Sequence, residues 1–141
     1  MIKRPPEELK HGKNELVFAF LAGKSAHSDT GSALWKACRD LSDVNFYCAD
    51  RNDFGYVVAC VADQAFAFAE GMQGVTLKLR EDMQAQALSK GAKRHEGAGS
   101  GWVFFELFGS KGFEKELAYW VSNAHSYAQQ VLNESRPPNA L

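Results

Sequence analysis

The sequence predicts an α+β domain in which an antiparallel meander of strands is packed by a long C-terminal amphipathic helix and one or two further helices. Two observations carry this prediction. Between residues 44 and 108, short stretches rich in β-branched and aromatic residues alternate with polar or glycine-containing turns, as consecutive antiparallel strands do. After Gly112, apolar residues recur every three or four positions as far as Leu132, which is the spacing of one helical face.

The N-terminal part of the chain gives weaker signals. Residues 1–13 are polar and contain two consecutive prolines, so we expect a flexible tail. The apolar run over residues 16–22 is too short for its periodicity to separate a strand from a buried helix; we favour a strand. It is also shorter than the roughly 20 residues of a membrane span, and no secretory pattern precedes it. We therefore expect a cytoplasmic protein without a membrane partner.

Local patterns then place a helix and a hairpin. Residues 28–30 offer side chains that cap the N-terminus of a helix ending near Leu41. Alternating apolar residues predict strands over 44–48 and 56–61. The polar residues 50–53 would form the turn between them.

Two more strands and a short helix complete the middle of the chain. Residues 65–69 alternate alanine with phenylalanine, so we expect a strand with both rings on one face. A strand over 75–79 and a helix over 82–90 follow. Residues 92–99 are charged and then glycine-rich, and we expect a mobile surface connector there. A single domain over residues 14–134, with a second flexible tail at 135–141, accommodates all these elements.

The last predicted strand supplies the first candidate site. With a period of two, Val103, Phe105 and Leu107 would pack under the helices. The opposite face would carry Trp102, Phe104, Glu106 and Phe108, joined by Phe66 and Phe68 of a neighbouring strand. We expect this ring-rich face to be covered by the helix around residues 34–41, by a second copy of the chain or by a small ligand, because large apolar patches rarely stay exposed.

The order of elements in the second half resembles a known family. It runs from Phe66-Ala67-Phe68 through the strand at 74–79, a helix ending at Gly91 and Gly101-Trp102-Val103 to a closing helix. This order resembles the MmcQ/YjbR-like proteins, small domains with a CyaY-like fold, and more loosely the N-terminal domain of TfoX-type regulators. The resemblance covers roughly residues 66–132. It implies the fold, and through the family's DNA-binding label it implies nucleic acid as an alternative partner.

Charge gives limited support to nucleic-acid binding. The net charge is −1, with 23% charged residues, so no global basic surface is expected. One local cluster of cations stands out, although acidic residues are interspersed with it: Lys78, Arg80, Lys93 and Arg94. Such a run is usually a solvated face, and tight binding needs several phosphate contacts.

Catalytic and metal-binding signatures are not found in the sequence. It contains no nucleophile elbow, Walker A motif or dinucleotide fingerprint. Three widely spaced cysteines favour buried thiols in a reducing compartment. The four histidines are too far apart for a helical metal pair; we expect His125 to be structural and partly exposed, and His95 to be a loop residue that could line a pocket. We expect no metal and no cofactor.

These observations favour a non-catalytic cytoplasmic binding or regulatory module. One alternative is a weak nucleic-acid-binding protein that uses the cation cluster. The other is a small-ligand binder or an enzyme that uses the face of Trp102, Phe104 and Glu106. A pocket lined by both Glu106 and His95 would favour that last alternative. Self-association would use the same aromatic face.

Overall fold

In the part of the chain that the structure describes, the fold is a six-stranded antiparallel sheet with four α-helices. The computed structural model describes residues 3–26, 28–49, 55–109 and 112–134. The helices are α1 (Glu15–Leu21), α2 (Ser28–Cys38), α3 (Glu81–Ser89) and α4 (Leu117–Glu134), and the strands are β1 (Val44–Cys48), β2 (Val57–Val61), β3 (Gln64–Ala69), β4 (Gly74–Lys78), β5 (Lys93–Arg94) and β6 (Trp102–Glu106). The strand order is β1-β2-β3-β4-β6-β5, and every pair is antiparallel. The predicted α+β class and long C-terminal helix are confirmed.

One face of the sheet, which we call the α4 face, packs against α2 and α4. The apolar stripe of α4 is buried there, as its three-and-four spacing predicts. Trp120 lies 5.1 Å from Phe105 between ring centroids, and Leu34 of α2 joins the same cluster. Because α2 packs on this face, it does not cover the opposite one, and that part of the prediction is wrong.

The opposite face, the α1 face, is covered by α1 and by a 3-10 turn at Glu7–Lys10. Residues 16–22, for which a strand was favoured, lie mostly within helix α1 (Glu15–Leu21). The helix buries Val17, Phe18 and Leu21, because positions i, i+1 and i+4 share one helical side. The strand prediction for this run is therefore wrong.

The segment N-terminal to α1 also packs on the domain. Leu9 is buried in the α1-face cluster, and the Lys3 carbonyl accepts a hydrogen bond of 2.9 Å from the amide of Cys48. Asn14 links the segment to β3 and to the turn before it through hydrogen bonds. Its Nδ2 donates to the carbonyls of Leu9 and Asp63 at 2.9 and 2.7 Å, and its Oδ1 accepts from the amide of Ala65 at 3.2 Å. Residues 135–141, the other predicted tail, lie outside the described ranges.

Strand β3 departs from simple alternation. Neighbouring residues Ala59 and Cys60 of β2 pair with Ala67 and Ala65, so Phe66 is an extra residue in β3. Such a bulge reverses the side on which the following residues lie. Phe66 belongs to the α4 face and Phe68 to the α1 face. The prediction that both rings share one face is therefore wrong.

The predicted connector at residues 92–99 contains a short strand. Lys93 and Arg94 form β5 and pair with Phe104 and Val103 of β6, so this part of the connector is held at the edge of the sheet. The pairing places the residue after Arg94 beside the start of β6.

Within the described ranges, no helix combines the length and the apolar character that a membrane crossing requires.

Candidate functional site

One row across the sheet contains Lys78, Trp102 and His95, which the sequence analysis placed in two different candidate sites. Lys78 of β4 is directly opposite Trp102 of β6. His95 follows β5, and its amide donates to the Trp102 carbonyl at 2.9 Å. Residues opposite each other across antiparallel strands point to the same face, and neighbouring strands lie about 4.8 Å apart. Lys78 and His95 therefore flank Trp102.

Trp102 forms the centre of this row and is almost completely buried. Only 3% of it is exposed, and its ring lies 5.1 Å from that of Phe68 between centroids. It belongs to the cluster under α1. The sheet face around Trp102 is thus covered by the chain's own first helix, rather than by the helix that the sequence analysis favoured.

His95 is held between aromatic rings. Its ring centroid lies 4.5 Å from Phe20 of α1 and 5.4 Å from Phe68, both in edge-to-face arrangements. Burial lowers the pKa of His95, a shift that nearby Glu70 partly opposes. Its Nδ1 is buried and has no hydrogen-bond partner among the described residues. Burial thus favours the neutral form of the ring, which also has a polar atom without a partner among the described residues.

A cavity of about 820 Å³ opens at this corner of the sheet. We call it the corner cavity. Its lining comes from the ends of β4 and β5, the start of β6, helix α3, the glycine-rich loop and one tyrosine of α4: Lys78, Glu81, Gln84, Ala85, Arg94, His95, Glu96, Gly99, Ser100, Gly101, Trp102 and Tyr127. This size falls within the range of small-molecule sites in proteins.

Lys78 is the most unusual charge in the corner cavity. It is only partly exposed, and burial lowers the pKa of its ammonium group. Its stem passes over Gly101, and its Nζ lies 6.0 Å from the Trp102 ring centroid. No carboxylate in the described part of the chain forms an ion pair with it. Lys78 is therefore a partly desolvated cation without a counterion among those residues.

The remaining members of the ring-rich face do not form part of the cavity. Phe104 is half-buried, and Glu106 is exposed outside the cavity. Strand β6 ends at Glu106, and beyond it Phe108 packs against the α4-face cluster. The prediction that Phe108 shares a face with Trp102 is wrong, because the alternation stops with the strand. Among the described residues, Glu106 and His95 line no common pocket.

The predicted cation cluster is divided by the fold. Lys78 and Arg94 line the corner cavity, whereas Arg80 and Lys93 do not. Arg80 instead pairs with Asp82 through two hydrogen bonds of 2.7 and 3.0 Å. Among the described residues, Arg94 makes one long contact of 3.4 Å, from Nη1 to Oε1 of Gln84. Two of the four cations thus line the corner cavity, and the other two are exposed outside it.

Other chemistry-bearing residues are structural. Burial raises the pKa of the Cys38 and Cys60 thiols to about 12, so neither is a thiolate at neutral pH. His125 was expected to be partly exposed, but it is 5% exposed and its Nε2 lies 2.7 Å from the Ser42 carbonyl oxygen. Within the described residues, no three His, Cys, Asp or Glu side chains are grouped as metal ligands.

Several lining residues were not predicted from the sequence as parts of a site. Gln84 and Tyr127 come from two different helices, and Glu81 was interpreted as a favourable charge at a helix start and as one of the acidic residues among the cations. Local sequence patterns contain no signal for such a set, since its members meet only through strand pairing and helix packing. The exception is the loop at residues 97–101, whose glycine content marks an unusual backbone and whose end lines the cavity.

No protein-family model matches the sequence, and neither a curated protein nor a solved structure matches it significantly. The resemblance to the MmcQ/YjbR-like proteins thus stays a prediction. The function has to be inferred from the geometry of the corner cavity.

Proposed function

We propose that the protein is a non-catalytic binding module and that the corner cavity binds a small polar ligand with an anionic group. The observation that carries the proposal is Lys78, a partly buried ammonium group that lines a cavity and lacks a counterion among the described residues. A buried charge is costly unless it is paired. An anionic group bound next to Lys78 would supply the missing partner.

The neighbours of Lys78 support binding rather than catalysis. The cavity is also lined by Trp102, by His95, whose buried Nδ1 has no hydrogen-bond partner among the described residues, and by a second cation, Arg94. Most of the lining side chains are polar or charged, which suits a polar ligand that a few placed groups orient. No nucleophile paired with a base lines the cavity in the described part of the chain.

Nucleic-acid binding is the weaker alternative, and it would use Lys78, Arg80, Lys93 and Arg94 together. Arg80 is neutralised by Asp82, which leaves few cations for phosphate contacts. A salt-dependent gel shift that is lost in a Lys78→Ala/Arg80→Ala variant would favour this alternative.

Self-association through the aromatic face also stays a proposal. Little of that face is accessible, because Trp102 is buried and Phe108 packs against the α4-face cluster instead.

The proposal is tested by amide NMR titration of the full chain with acetate, benzoate and inorganic phosphate. We expect at least one of these anions to shift the amides of residues 93–96 and 99–102. The same shifts should vanish in Lys78→Met, which keeps the apolar stem and removes the charge. Lys93→Met is the matched control, because Lys93 is adjacent but lies outside the cavity.

Two results would overturn the proposal. One is the absence of shifts at these amides with all three anions. The other is binding that is equally strong in wild type and in Lys78→Met, since Lys78 would then have no role in recognising the anionic group.

A further inference from the structure

The corner cavity carries charges of both signs that do not pair with one another. Lys78 and Arg94 are its cations, and Glu81 and Glu96 are its carboxylates. Among the described residues, none of these four forms an ion pair within 4.0 Å. Other charges near one another in this protein do pair: Lys10 with Glu7, Lys13 with Asp63 and Arg80 with Asp82.

This arrangement bears on what the cavity can bind. With His95 neutral, the formal charges of the lining sum to zero, so a ligand with several negative charges would be attracted by the cations and repelled by the carboxylates to a similar extent. A ligand with one charge of each sign avoids this repulsion, because each of its groups faces an opposite charge.

The depth of the charges gives the ligand a direction. Lys78 is partly buried, whereas Glu81 and Glu96 are exposed. An anionic group would therefore enter towards Lys78 and Trp102, and a cationic group would stay near the carboxylates at the mouth. Hydrogen bonds of about 2.9 Å at each end allow a short zwitterion to bridge a cation and a carboxylate that are too far apart to pair directly.

We infer that the corner cavity recognises a small zwitterion of the α-amino acid type, with its carboxylate on Lys78 and its ammonium group on Glu81 and Glu96. This inference rests on the proposed function and names its ligand class. Trp102 lies directly opposite Lys78 in the sheet, so it would border the carboxylate end of the ligand.

The test compares ligands that differ only in their charges. Glycine, L-leucine and L-phenylalanine are titrated by calorimetry and NMR beside their N-acetyl derivatives, which lack the ammonium group, and their amides, which lack the carboxylate. We expect at least one free amino acid to bind about tenfold or more tightly than both of its derivatives, because each removed charge leaves a charged side chain of the cavity without its partner.

Variants of the protein assign the two ends of the ligand. Glu81→Gln/Glu96→Gln should weaken the amino acid to the affinity of its N-acetyl derivative and should not weaken the N-acetyl derivative. Lys78→Met should weaken both. Glu106→Gln, which removes an exposed carboxylate outside the cavity, is the matched control and should change neither affinity.

The outcomes separate this inference from the proposed function. If an N-acetyl derivative binds as tightly as its free amino acid, or if the double variant loses nothing, the zwitterion inference is wrong and the anion-binding proposal stands. If acetate, benzoate and phosphate all fail to shift the amides of the cavity, the proposed function is wrong, and the inference that rests on it is wrong as well.

Discussion

Phe66 and Phe68 lie on opposite faces of the sheet, although they are two residues apart in one strand. Phe66 packs edge-to-face with His125 of α4 at 5.6 Å between ring centroids. Phe68 packs against Trp102 and His95 on the α1 face. The bulge at Phe66 causes this difference. As a result, one ring stabilises the helix that closes the fold, and the other supports the corner cavity.

The first prediction concerns these two rings. We expect Phe66→Leu and Phe68→Leu each to lower the free energy of unfolding by about 0.5–3 kcal/mol, because both side chains are fully buried. Their local effects should differ: Phe68→Leu should shift the NMR signals of the His95 and Trp102 rings, and Phe66→Leu those of His125. Shifts of the Trp102 signals by both variants, with His125 unchanged, would place both rings on one face and contradict the bulge.

The second prediction concerns the stability cost of Lys78. Lys78→Met should raise the free energy of unfolding by more than about 0.5 kcal/mol in ligand-free protein, because it removes a partly desolvated charge from a binding site. Chemical denaturation measures this change. Lys93→Met is the control, and its effect should stay within about ±0.5 kcal/mol, as for an ordinary surface substitution. A clear loss of stability in Lys78→Met would mean that the ammonium group has a stabilising partner.

The third prediction concerns pH and His95. Its pKa is lowered from 6.5, chiefly by burial, so at acidic pH the unfolded chain takes up a proton more readily than the folded one. We therefore expect stability to fall as the pH drops below 6.5, until the folded-state pKa is also passed. Between pH 7.5 and 5, the melting temperature should fall less in His95→Phe than in wild type.

The control for this experiment is His11→Phe, which removes an exposed histidine instead. In this variant the melting temperature should fall at acidic pH as much as in wild type. Lys24 and Glu70 are the charged groups whose fields act on His95, in opposite directions. An acid loss that is equally steep in wild type and His95→Phe would show that the imidazole is not the group responsible.

The fourth prediction concerns Asn14. Asn14→Ala should destabilise the protein by at least about 2 kcal/mol, because it leaves the carbonyls of Leu9 and Asp63 and the amide of Ala65 without this partner, and each buried group left unsatisfied costs about 1–3 kcal/mol. The exposed Asn45→Ala serves as control, since its single contact to Ala62 is 3.5 Å long. A loss below about 0.5 kcal/mol for Asn14→Ala would show that these hydrogen bonds contribute little.

The accuracy of the sequence analysis differs between elements for physical reasons. Strands β1, β2 and β4 and helices α3 and α4 were predicted within a few residues, since their hydrophobic periods are local properties of the chain. Helix α1 was predicted as a strand, because seven apolar residues fit either period. The bulge at Phe66 was not predicted, because an alanine–phenylalanine alternation is identical with or without an extra residue in the pairing.

For the candidate site, the sequence identified Lys78, Arg94, His95 and Trp102 but assigned them to separate hypotheses. It also included Glu106, which lies at the end of β6 outside the cavity, and Phe108, which follows the strand and packs against the α4-face cluster. The carboxylates that face the cations were treated as competing surface charges, since a linear pattern does not show on which side of a cavity each charge lies.

By itself, the sequence determined the α+β class, the antiparallel meander and the closing helix, because alternation, turn residues and three-and-four spacing act over short stretches of chain. Only the tertiary structure decided that Lys78, Trp102 and His95 stand side by side and that four unpaired charges share one cavity. The reason is that these relationships depend on the insertion of β6 between β4 and β5 and on the packing of α3 against β5 and β6, which join residues distant in the chain.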